Sequence, residues 1–374
     1  MEFLQNPIHA ESITAAHVSS ELIVDILSRL SVKSLCRFRC VSKSWLALIT
    51  HPRFVRMHLT QTQREKLFIR DKKYSFYSVD LESITYDVDK VDAAKIDITA
   101  FKSDLKYMRL WVGSCNGLLC INLGKCLWLY NPSTRERKQV PDFRSFYLTK
   151  PAGFGYADSI DDYKFVKLHC TEQIVDVYSL RKNSWTTIKY DLCIQFMIGN
   201  GTGISLNGAI HWAKHNSRRA AEIIAFDLVE EKFKTLPLPS VPEEEYRYSL
   251  LGVFRGYLCS SKANRSNNSW QFWIMKEYGV KESWTRILKV DLTGFSFCHL
   301  QPLCYLKDSN KVVLYKYTEF GVNTYERLVF YNQEYQKVKE IDVDGIQREV
   351  VGTILVLTRR ASNAKLLKNT ICLI

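Results

Sequence analysis

The chain has 374 residues, of which 46% are hydrophobic and 24% charged, with a formal net charge of +13. These proportions exclude a disordered or fibrous chain, and the length suits one small folded unit joined to a large one. Aromatic residues reach 13%, a share that favours strands over helices.

The first seventeen residues contain neither the basic start nor the apolar run of a secretory signal peptide. Apolar stretches elsewhere are only a few residues long, well short of the roughly 20 that cross a bilayer. Eleven cysteines without a CxxC pair favour reduced thiols. We therefore expect a flexible segment at 1–17, no membrane insertion, and a location in the cytoplasm, the nucleus or both.

Positive charge is concentrated at residues 18–73, which contain twelve Lys or Arg and four Asp or Glu. Such a surface can bind nucleic acid or an acidic protein, or it can be a solvated helical face. Charge alone does not choose among these three interpretations.

Residues 18–58 begin with the spacing of a short amphipathic helix. Ser19 or Ser20 can cap this helix, in which Leu22 and Ile26 fall on one apolar stripe. The stripe covers only one face, so the helix must pack against other elements.

Two further helices are predicted in this small unit. One covers 32–38, and the other begins at Ser42, carries Trp45 and ends before Pro52, which disrupts a helix interior. Three helices in roughly 40 residues bury little surface, so the unit keeps apolar side chains available for a partner.

Residues 22–54 resemble, without gaps, the F-box of the large plant F-box family. They read L-I-V-D-I-L-S-R-L-S-V-K-S-L-C-R-F-R-C-V-S-K-S-W-L-A-L-I-T-H-P-R-F. Members of that family bind the Skp-type adaptor of a cullin ubiquitin ligase, so the resemblance implies the adaptor and, through it, a cullin as partners. The adaptor-facing apolar set that it implies is Leu22, Ile26, Leu35, Val41 and Trp45.

Charged residues and departures from the family pattern bear on this expectation. Basic residues that would speed association with an acidic adaptor are Arg37, Arg39 and Lys43. The family usually has Leu-Pro where Val18-Ser19 stand and Pro where Ser31 stands, so these positions can weaken adaptor binding. The plainer interpretation is that the apolar set only forms the core of a three-helix unit.

Beyond residue 75 the sequence changes to short alternating runs separated by Gly, Pro, Asn and Asp, which indicates strands and tight turns. An aromatic or apolar strand followed by a polar turn recurs six times, at intervals of 48 to 56 residues. Periods near this size are typical of propeller blades. The six repeats start at residues 77, 130, 178, 226, 275 and 331.

The ring of blades needs closure and a core. An apolar strand near 350–357 is expected to pair with the first blade, because an open strand edge invites aggregation. Large aromatic side chains bury the most area in thin sheets, so five tryptophans are expected to be largely buried between blades. They are Trp128, Trp185, Trp212, Trp273 and Trp284.

Motifs within the repeats resemble the F-box-associated, kelch-related domain of the same plant family. They include V-G-S-C-N-G-L-L-C from residue 112, G-F-G-Y from 153 and L-N-G-A-I-H-W from 206. Together with the F-box, the resemblance covers nearly the whole chain and implies a domain that recruits a target. The expected organisation is a small all-α F-box of three helices at 18–58, a linker at 59–74 and a large all-β, β-propeller-like domain of about six blades at 75–374.

Fragments that imitate catalytic sites have plainer explanations. Cys115 in G-S-C-N-G imitates a nucleophile elbow, but strand-like residues follow where a helix is needed. His211 and His215 have the spacing of metal ligands on a helix, yet their surroundings are strand-like and no third ligand is nearby in sequence. Glycines at 199–203 lack the lysine and helix of a phosphate loop. We expect no catalytic residue, cofactor or metal.

The sequence therefore favours a non-catalytic receptor, the substrate-recognition subunit of a Skp–cullin–F-box ubiquitin ligase that directs a target protein to the proteasome. Aromatic and basic loop residues favour interfaces, although each can equally be a solvated loop residue. Candidate target-binding residues are Phe143, Tyr147, Arg218, Arg219, Tyr246 and Tyr248. The alternatives are a propeller enzyme or carbohydrate-binding protein and, since no aromatic stacking motif accompanies the basic charges, a less favoured nucleic-acid binder.

Overall fold

The computed structural model describes a helical N-terminal unit and the strands of a β domain, with many of the turns between them. The described ranges are 19–61, 66–70, 75–86, 89–96, 101, 110–123, 126–141, 151–191, 202–216, 219–240, 248–264, 269–291, 298–306, 311–320, 323–343 and 355–357. The segment 1–17, expected to be flexible, lies outside them.

Serine side chains set the starts of three helices in the N-terminal unit. Ser19, Ser31 and Ser42 each accept a hydrogen bond from the backbone N–H three residues later, which satisfies one of the free donors of a first helical turn. The described helices of this unit are α1 (Ser20–Ser28), α2 (Val32–Phe38), α3 (Lys43–Thr50) and α4 (Pro52–Gln61).

The fourth helix corrects the expectation of three. Pro52 was expected only to end a helix, but it opens α4. The N–H of a first helical residue has no acceptor within the helix, so proline, which has no N–H, loses no hydrogen bond there. Near the far end of α4, the Nε2 of His58 donates to the carbonyl oxygen of Leu30 at 2.7 Å. This bond ties α4 to the end of α1 and completes the small core.

Six antiparallel sheets follow, one for each predicted repeat. Blade 1 contains β1 (Lys66–Arg70), β2 (Phe76–Asp80), β4 (Ala94–Ile96) and β25 (Leu355–Leu357), and blade 2 contains β5 (Leu110–Cys115), β6 (Leu118–Asn122), β7 (Leu127–Tyr130) and β8 (Arg137–Val140). Blade 3 contains β9 (Ala152–Ala157), β10 (Asp162–His169), β11 (Ile174–Ser179) and β12 (Ser184–Lys189).

The other three blades follow in chain order. Blade 4 contains β13 (Ile204–Leu206), β14 (Ala209–Asn216), β15 (Arg219–Asp227) and β16 (Phe233–Leu236). Blade 5 contains β17 (Tyr248–Phe254), β18 (Tyr257–Asn264), β19 (Ser269–Met275) and β20 (Trp284–Asp291). Blade 6 contains β21 (His299–Tyr305), β22 (Lys311–Phe320), β23 (Asn323–Asn332) and β24 (Lys337–Val343), with β3 (Lys90–Val91) added at its edge.

The first strands of successive blades contact one another, which places them around the centre of a ring. A parallel bridge between Ala152 and Thr202 shows that the first strands of blades 3 and 4 run in the same direction. The small helical unit and the six-bladed β-propeller are therefore confirmed.

Two strand pairings join the ends of the ring. β25 pairs antiparallel with β1 and completes blade 1, as the sequence predicted for the last apolar strand. β3, which belongs to the connection between β2 and β4, pairs in parallel with β24 of blade 6. Asp89 adds an ion pair with Lys339 at 2.7 Å, so blades 1 and 6 are linked at both the inner and the outer strand.

The expected linker at 59–74 is interrupted by regular structure. α4 continues to Gln61, and β1 at Lys66–Arg70 is a fully paired strand of blade 1. Five residues are too few for their own alternation to stand out in the sequence, and β1 is defined by its pairing with β2 and β25. The propeller therefore starts before residue 75.

The repeated sequence element is the turn between the third and fourth strand of each blade. In blades 2, 4 and 6 the turn opens with Asn131, Asp227 or Asn332, whose side-chain oxygen accepts two backbone N–H groups. Such Asx turns fix the local backbone, and this explains why a polar turn follows an apolar strand at these three repeats.

The expectation for the five tryptophans is only partly correct. Trp212 and Trp284 are buried, whereas Trp128, Trp185 and Trp273 are half-buried. Trp270, which was not singled out, is completely buried and donates from Nε1 to the carbonyl oxygen of Cys298 at 2.9 Å. Trp270 and Trp273 even share the strand β19, so the residue type alone did not predict the depth of burial.

Candidate functional site

The helical unit presents large apolar side chains to solvent. Leu22 and Ile26 on α1 and Val41 after α2 are 50 to 62% exposed. Leu46 on α3 is also exposed, and the sequence analysis missed it although it follows Trp45 directly. We call Leu22, Ile26, Val41 and Leu46 the helical surface. Exposed apolar groups of this size on so small a unit are typical of an interface.

The other two residues of the predicted adaptor-facing set lie deeper. Leu35 is 5% exposed and packs in the core of the unit with Leu27 and Ile49. Trp45 is half-buried and contacts Phe38 edge to face, with ring centroids 5.4 Å apart. Both residues shape the unit, and truncating either would disturb its fold as well as any interface.

A shallow apolar groove lies between α2, the end of α3 and α4. Val32, Leu35 and Val55 are among its apolar lining residues, while Arg39 and His58 supply its polar edge. Arg37 and Lys43 on the same unit are exposed, and Arg39 is partly exposed. The groove and its basic surroundings suit an apolar segment that carries negative charge.

The propeller has two different faces because its strands alternate in direction. The turn face carries the connections from first to second and from third to fourth strands, and the loop face carries the remaining connections. Three first-to-second connections are two-residue turns with positive φ at both positions, which is typical of tight hairpins. They are Asn116-Gly117, Asn207-Gly208 and Arg255-Gly256.

Longer connections run between blades on the loop face, for example over 141–151, 190–203 and 237–247. Of the six predicted target-binding residues, two begin described strands. Phe143, Tyr147, Arg218 and Tyr246 lie outside the described residues. Arg219 begins β15 and Tyr248 begins β17, both of which start at the loop face.

The helical unit joins the ring at the turn face. β1 is the second strand of blade 1, and second strands begin at that face. Only residues 62–65 separate the end of α4 from Lys66. The chain thus enters the propeller on the side opposite to the longer connections.

Two family models match this chain. The model of the F-box domain matches residues 17–57, and the model of the F-box associated beta propeller domain matches residues 65–357. The chain belongs to the F-box proteins with an associated β-propeller. The family and the two-unit architecture support a substrate-adaptor role, with a Skp-type adaptor as the partner that an F-box implies.

Relatives of this F-box protein occur in Arabidopsis thaliana. An F-box/kelch-repeat protein is 30% identical and covers 76% of this chain and 83% of its own length. The F-box protein CPR1 is 28% identical and covers 95% of this chain and 96% of its own length. The F-box lies N-terminal and the propeller C-terminal, as the sequence motifs implied.

The structure describes two of the catalytic-looking residues of this F-box protein, Cys115 and His211, while Gly199 and Gly201 lie outside the described residues. Cys115 ends β5 beside a two-residue turn into β6, so it is not on a nucleophile elbow. Burial raises the pKa of its thiol to about 12, which keeps the thiol neutral. A neutral, partly buried thiol is a poor nucleophile.

His211 is a buried link between blades 4 and 5. Its Nδ1 donates to the carbonyl oxygen of Ile204 at 3.0 Å, and its Nε2 accepts from the Tyr278 hydroxyl. Burial lowers the pKa of His211 to about 4, so the ring is neutral. Both ring nitrogens are engaged, which leaves neither one free to bind a metal ion.

Two absences hold for the described part of the F-box protein. No three His, Cys, Asp or Glu side chains there converge as metal ligands. None of the helices there is long and apolar enough to cross a membrane.

Proposed function

We propose that this protein is the substrate receptor of a Skp–cullin–F-box ubiquitin ligase in the cytoplasm, the nucleus or both. The observation that carries the proposal is the exposed helical surface of the F-box. Leu22, Ile26 and Val41 are apolar, face solvent and belong to a unit too small to bury them itself. A partner with apolar side chains and negative charge would cover this surface.

The adaptor would occupy the helical surface and the groove beside it. Of the predicted adaptor-facing set, the exposed Leu22, Ile26 and Val41 would contact it directly. Leu35 would act from the floor of the groove, and Trp45 would support the shape of α3. Arg37 and Lys43, both exposed, would speed the encounter with an acidic partner.

The target protein would bind at the loop face of the propeller. Longer connections tolerate sequence change because they run over the surface, whereas the two-residue turns of the opposite face are conformationally restricted. Arg219 and Tyr248 mark the edge of this proposed site. Tyrosine and arginine are frequent among residues that dominate interface energetics.

The receptor would act by proximity and without catalytic groups of its own. A partner enzyme charged with ubiquitin would transfer the acyl group to a target lysine while the propeller holds the target nearby. Fixing two reactants in one complex raises their effective concentration by orders of magnitude. Transfer of ubiquitin leads to proteasomal degradation of the target.

Separation of the two units tests this proposal. The full chain and a form lacking residues 18–58 would be expressed under proteasome inhibition, and the proteins captured by each would be identified. We expect the full chain to capture a Skp-type adaptor, a cullin and the target. The shortened form should retain the target, lose adaptor and cullin, and leave the target unmodified.

A matched point variant controls for the deletion. Ile26→Asp should remove the adaptor, whereas Tyr335→Asp, at an exposed position on the propeller, should keep it. The receptor proposal is wrong if the folded full chain captures no adaptor, or if the purified propeller turns over a small molecule.

A further inference from the structure

Two segments close the ring at the seam between blades 1 and 6, one from each side. From blade 6 the chain continues into β25, which pairs with three residues of β1 at the inner edge of blade 1. From blade 1 the connection between β2 and β4 reaches across to blade 6. We call the described part of this connection, residues 81–86 and 89–91, the strap. The two closures differ in how they are held.

Both ends of the strap are fixed in blade 1. The strap starts directly after Asp80, the last residue of β2, with a 3₁₀ turn at Leu81–Ser83, and the N–H of Ile84 donates to the Leu81 carbonyl oxygen at 3.4 Å. Shortly after Val91 the chain returns to blade 1 in β4, which pairs with β2 over three residues. A segment that is tethered at both ends has few conformations to adopt when it is released, so docking costs it little entropy.

Apolar side chains of the strap are buried at the seam. Leu81, Ile84 and Val91 are only 3 to 4% exposed. The hydrophobic free energy follows the apolar area removed from water, so three such side chains are a substantial source of stability. They share one cluster with residues of blade 6, among them Leu328, Phe330, Ile341 and Val343.

Backbone hydrogen bonds and an ion pair fix the register of the strap on β24. β3 pairs in parallel with Asp342 and Val343, and the carbonyl oxygen of Asp89 accepts from the N–H of Asp342 at 3.0 Å. The Asp89 carboxylate also lies 2.7 Å from the Nζ of Lys339. Because the Asp89 side chain is 88% exposed, this ion pair contributes less than the buried apolar side chains.

Tyr86 of the strap also packs against blade 6. Its ring centroid lies 5.4 Å from that of Phe330, and the Nζ of Lys311 lies 3.5 Å from the centre of the Tyr86 ring. The Nζ of Lys339 lies 5.5 Å from the same ring. Ammonium groups near an aromatic ring are attracted by its quadrupole. These contacts all reach blade 6, so the strap is packed as a part of that blade while both of its ends stay in blade 1.

The closure by β25 is smaller. This strand has three residues, and its pairing with β1 covers Lys66, Leu67 and Phe68. On its other side β25 lies beside β5 of blade 2, at the centre of the ring. A strand of three residues makes few backbone hydrogen bonds, so its local release costs less than the release of the tethered strap.

We propose that the strap is the main closure of the ring and that β25 can leave blade 1 while the ring stays closed. Release of β25 uncovers the inner edge of β1 and widens the centre of the ring beside β5, without separating blades 1 and 6. Such a local opening breaks only a few contacts and therefore costs less than global unfolding. The inner surface of the propeller can then change while the loop-face connections of blades 1 and 6 keep their positions.

Amide hydrogen exchange of the full chain, co-purified with its adaptor and measured by mass spectrometry, tests the two closures separately. One variant carries Leu355→Pro and Val356→Pro. The N–H groups of consecutive strand residues point to alternate sides, so one of the two prolines removes a donor to β1. We expect exchange in β1 to become about tenfold faster or more, while β24 and the strap stay within about twofold of the unmodified chain.

A second variant weakens the strap. Ile84→Ala leaves a cavity where the strap meets blade 6, and the matched control is Ile223→Ala, at a completely buried isoleucine of blade 4. Relative to this control, we expect Ile84→Ala to speed exchange in both β24 and β1 by about tenfold or more, because β25 alone does not hold the seam. If Ile84→Ala does not fold, Ile84→Val against Ile223→Val makes the same comparison with a smaller cavity.

Two results would overturn the proposal. If β25 is the main closure, the double-proline variant will expose β24 and the strap as much as β1, and failure of this variant to fold has the same meaning. If exchange at the seam is equal in the Ile84 and Ile223 variants, the strap does not hold blades 1 and 6 together.

Discussion

The F-box and the propeller differ in how many of their large apolar side chains they leave exposed to solvent. The buried core of the F-box consists of Leu27, Leu35, Ile49 and Phe54, and as many large apolar side chains face solvent on its helical surface. The propeller buries its apolar side chains in clusters that continue from one blade to the next. The comparison shows one unit shaped for a partner and another that is complete by itself.

Close packing between blades explains the difference. Gly203 directly precedes β13 of blade 4. A Cβ at this position would lie 2.3 Å from the Cγ2 of Ile210 on β14, so only glycine fits there. A Cβ on Gly153 of blade 3 would meet the same Ile210 atom of blade 4. Each blade therefore buries both of its faces, which three or four short helices cannot achieve.

The largest expected effect is a loss of propeller stability. Trp270→Ala removes a completely buried side chain and its hydrogen bond to Cys298. We expect the free energy of unfolding to fall by about 3 to 5 kcal/mol, because the cavity adds to the lost burial. Urea unfolding followed by circular dichroism measures it, and Val41→Ala on the helical surface is the control. A loss under about 1 kcal/mol would contradict a continuous core.

The second prediction concerns the F-box alone. Ile26→Asp places a charge on the exposed helical surface, so adaptor binding should weaken by about 2 to 4 kcal/mol. The melting temperature of the propeller should not change. Titration calorimetry with purified adaptor measures the affinity. Ile26 is a sharper probe than Trp45, because Trp45→Ala also removes the packing on Phe38; unchanged affinity would exclude this surface.

The third prediction is a pH dependence within the propeller. The pKa of His211 falls from its ordinary 6.5 to about 4 because of burial, so the unfolded chain binds this proton first as the pH drops. The neutral His211 ring therefore makes its full contribution to the free energy of unfolding above pH 6.5. This contribution, about 1 to 3 kcal/mol in total, is lost as the pH falls towards 4. Urea unfolding at pH 7.5, 5.5 and 4.5 should show a steeper loss for the wild-type chain than for His211→Gln. Parallel curves would show that the pKa of His211 is not lowered in the folded protein.

The smallest effect is expected at a hydrogen bond between blades. Trp284→Phe keeps most of the buried ring but loses the Nε1–H bond to the Pro237 carbonyl oxygen at 2.9 Å. We expect a loss of about 1 kcal/mol. Trp185 makes the same bond to Pro141 at 2.8 Å but is half-buried, so Trp185→Phe should cost less. Equal losses of stability in the two variants, measured by thermal unfolding, would show that burial does not change how much this hydrogen bond stabilises the protein.

The sequence predicted local structure correctly where a residue interacts with residues next to it in the chain. Ser19 and Ser42 cap the helices that the sequence predicted, because a cap depends only on the next three residues. Pro52 was misjudged because the same residue can end one helix or open another. The apolar character of Leu35 was clear, but whether it lay in the core or on the surface depends on which face α2 turns to α3 and α4.

The sequence by itself determined the order of the two units, the number of blades and the strand that closes the ring, since the repeats, the helical spacing and the last apolar strand are properties of consecutive residues. Tertiary structure alone decided which apolar side chains remain outside and which distant residues meet, such as His211 with Tyr278. The physical reason is that periodicity fixes which residues share a face of one element, whereas exposure depends on the neighbours that cover that face.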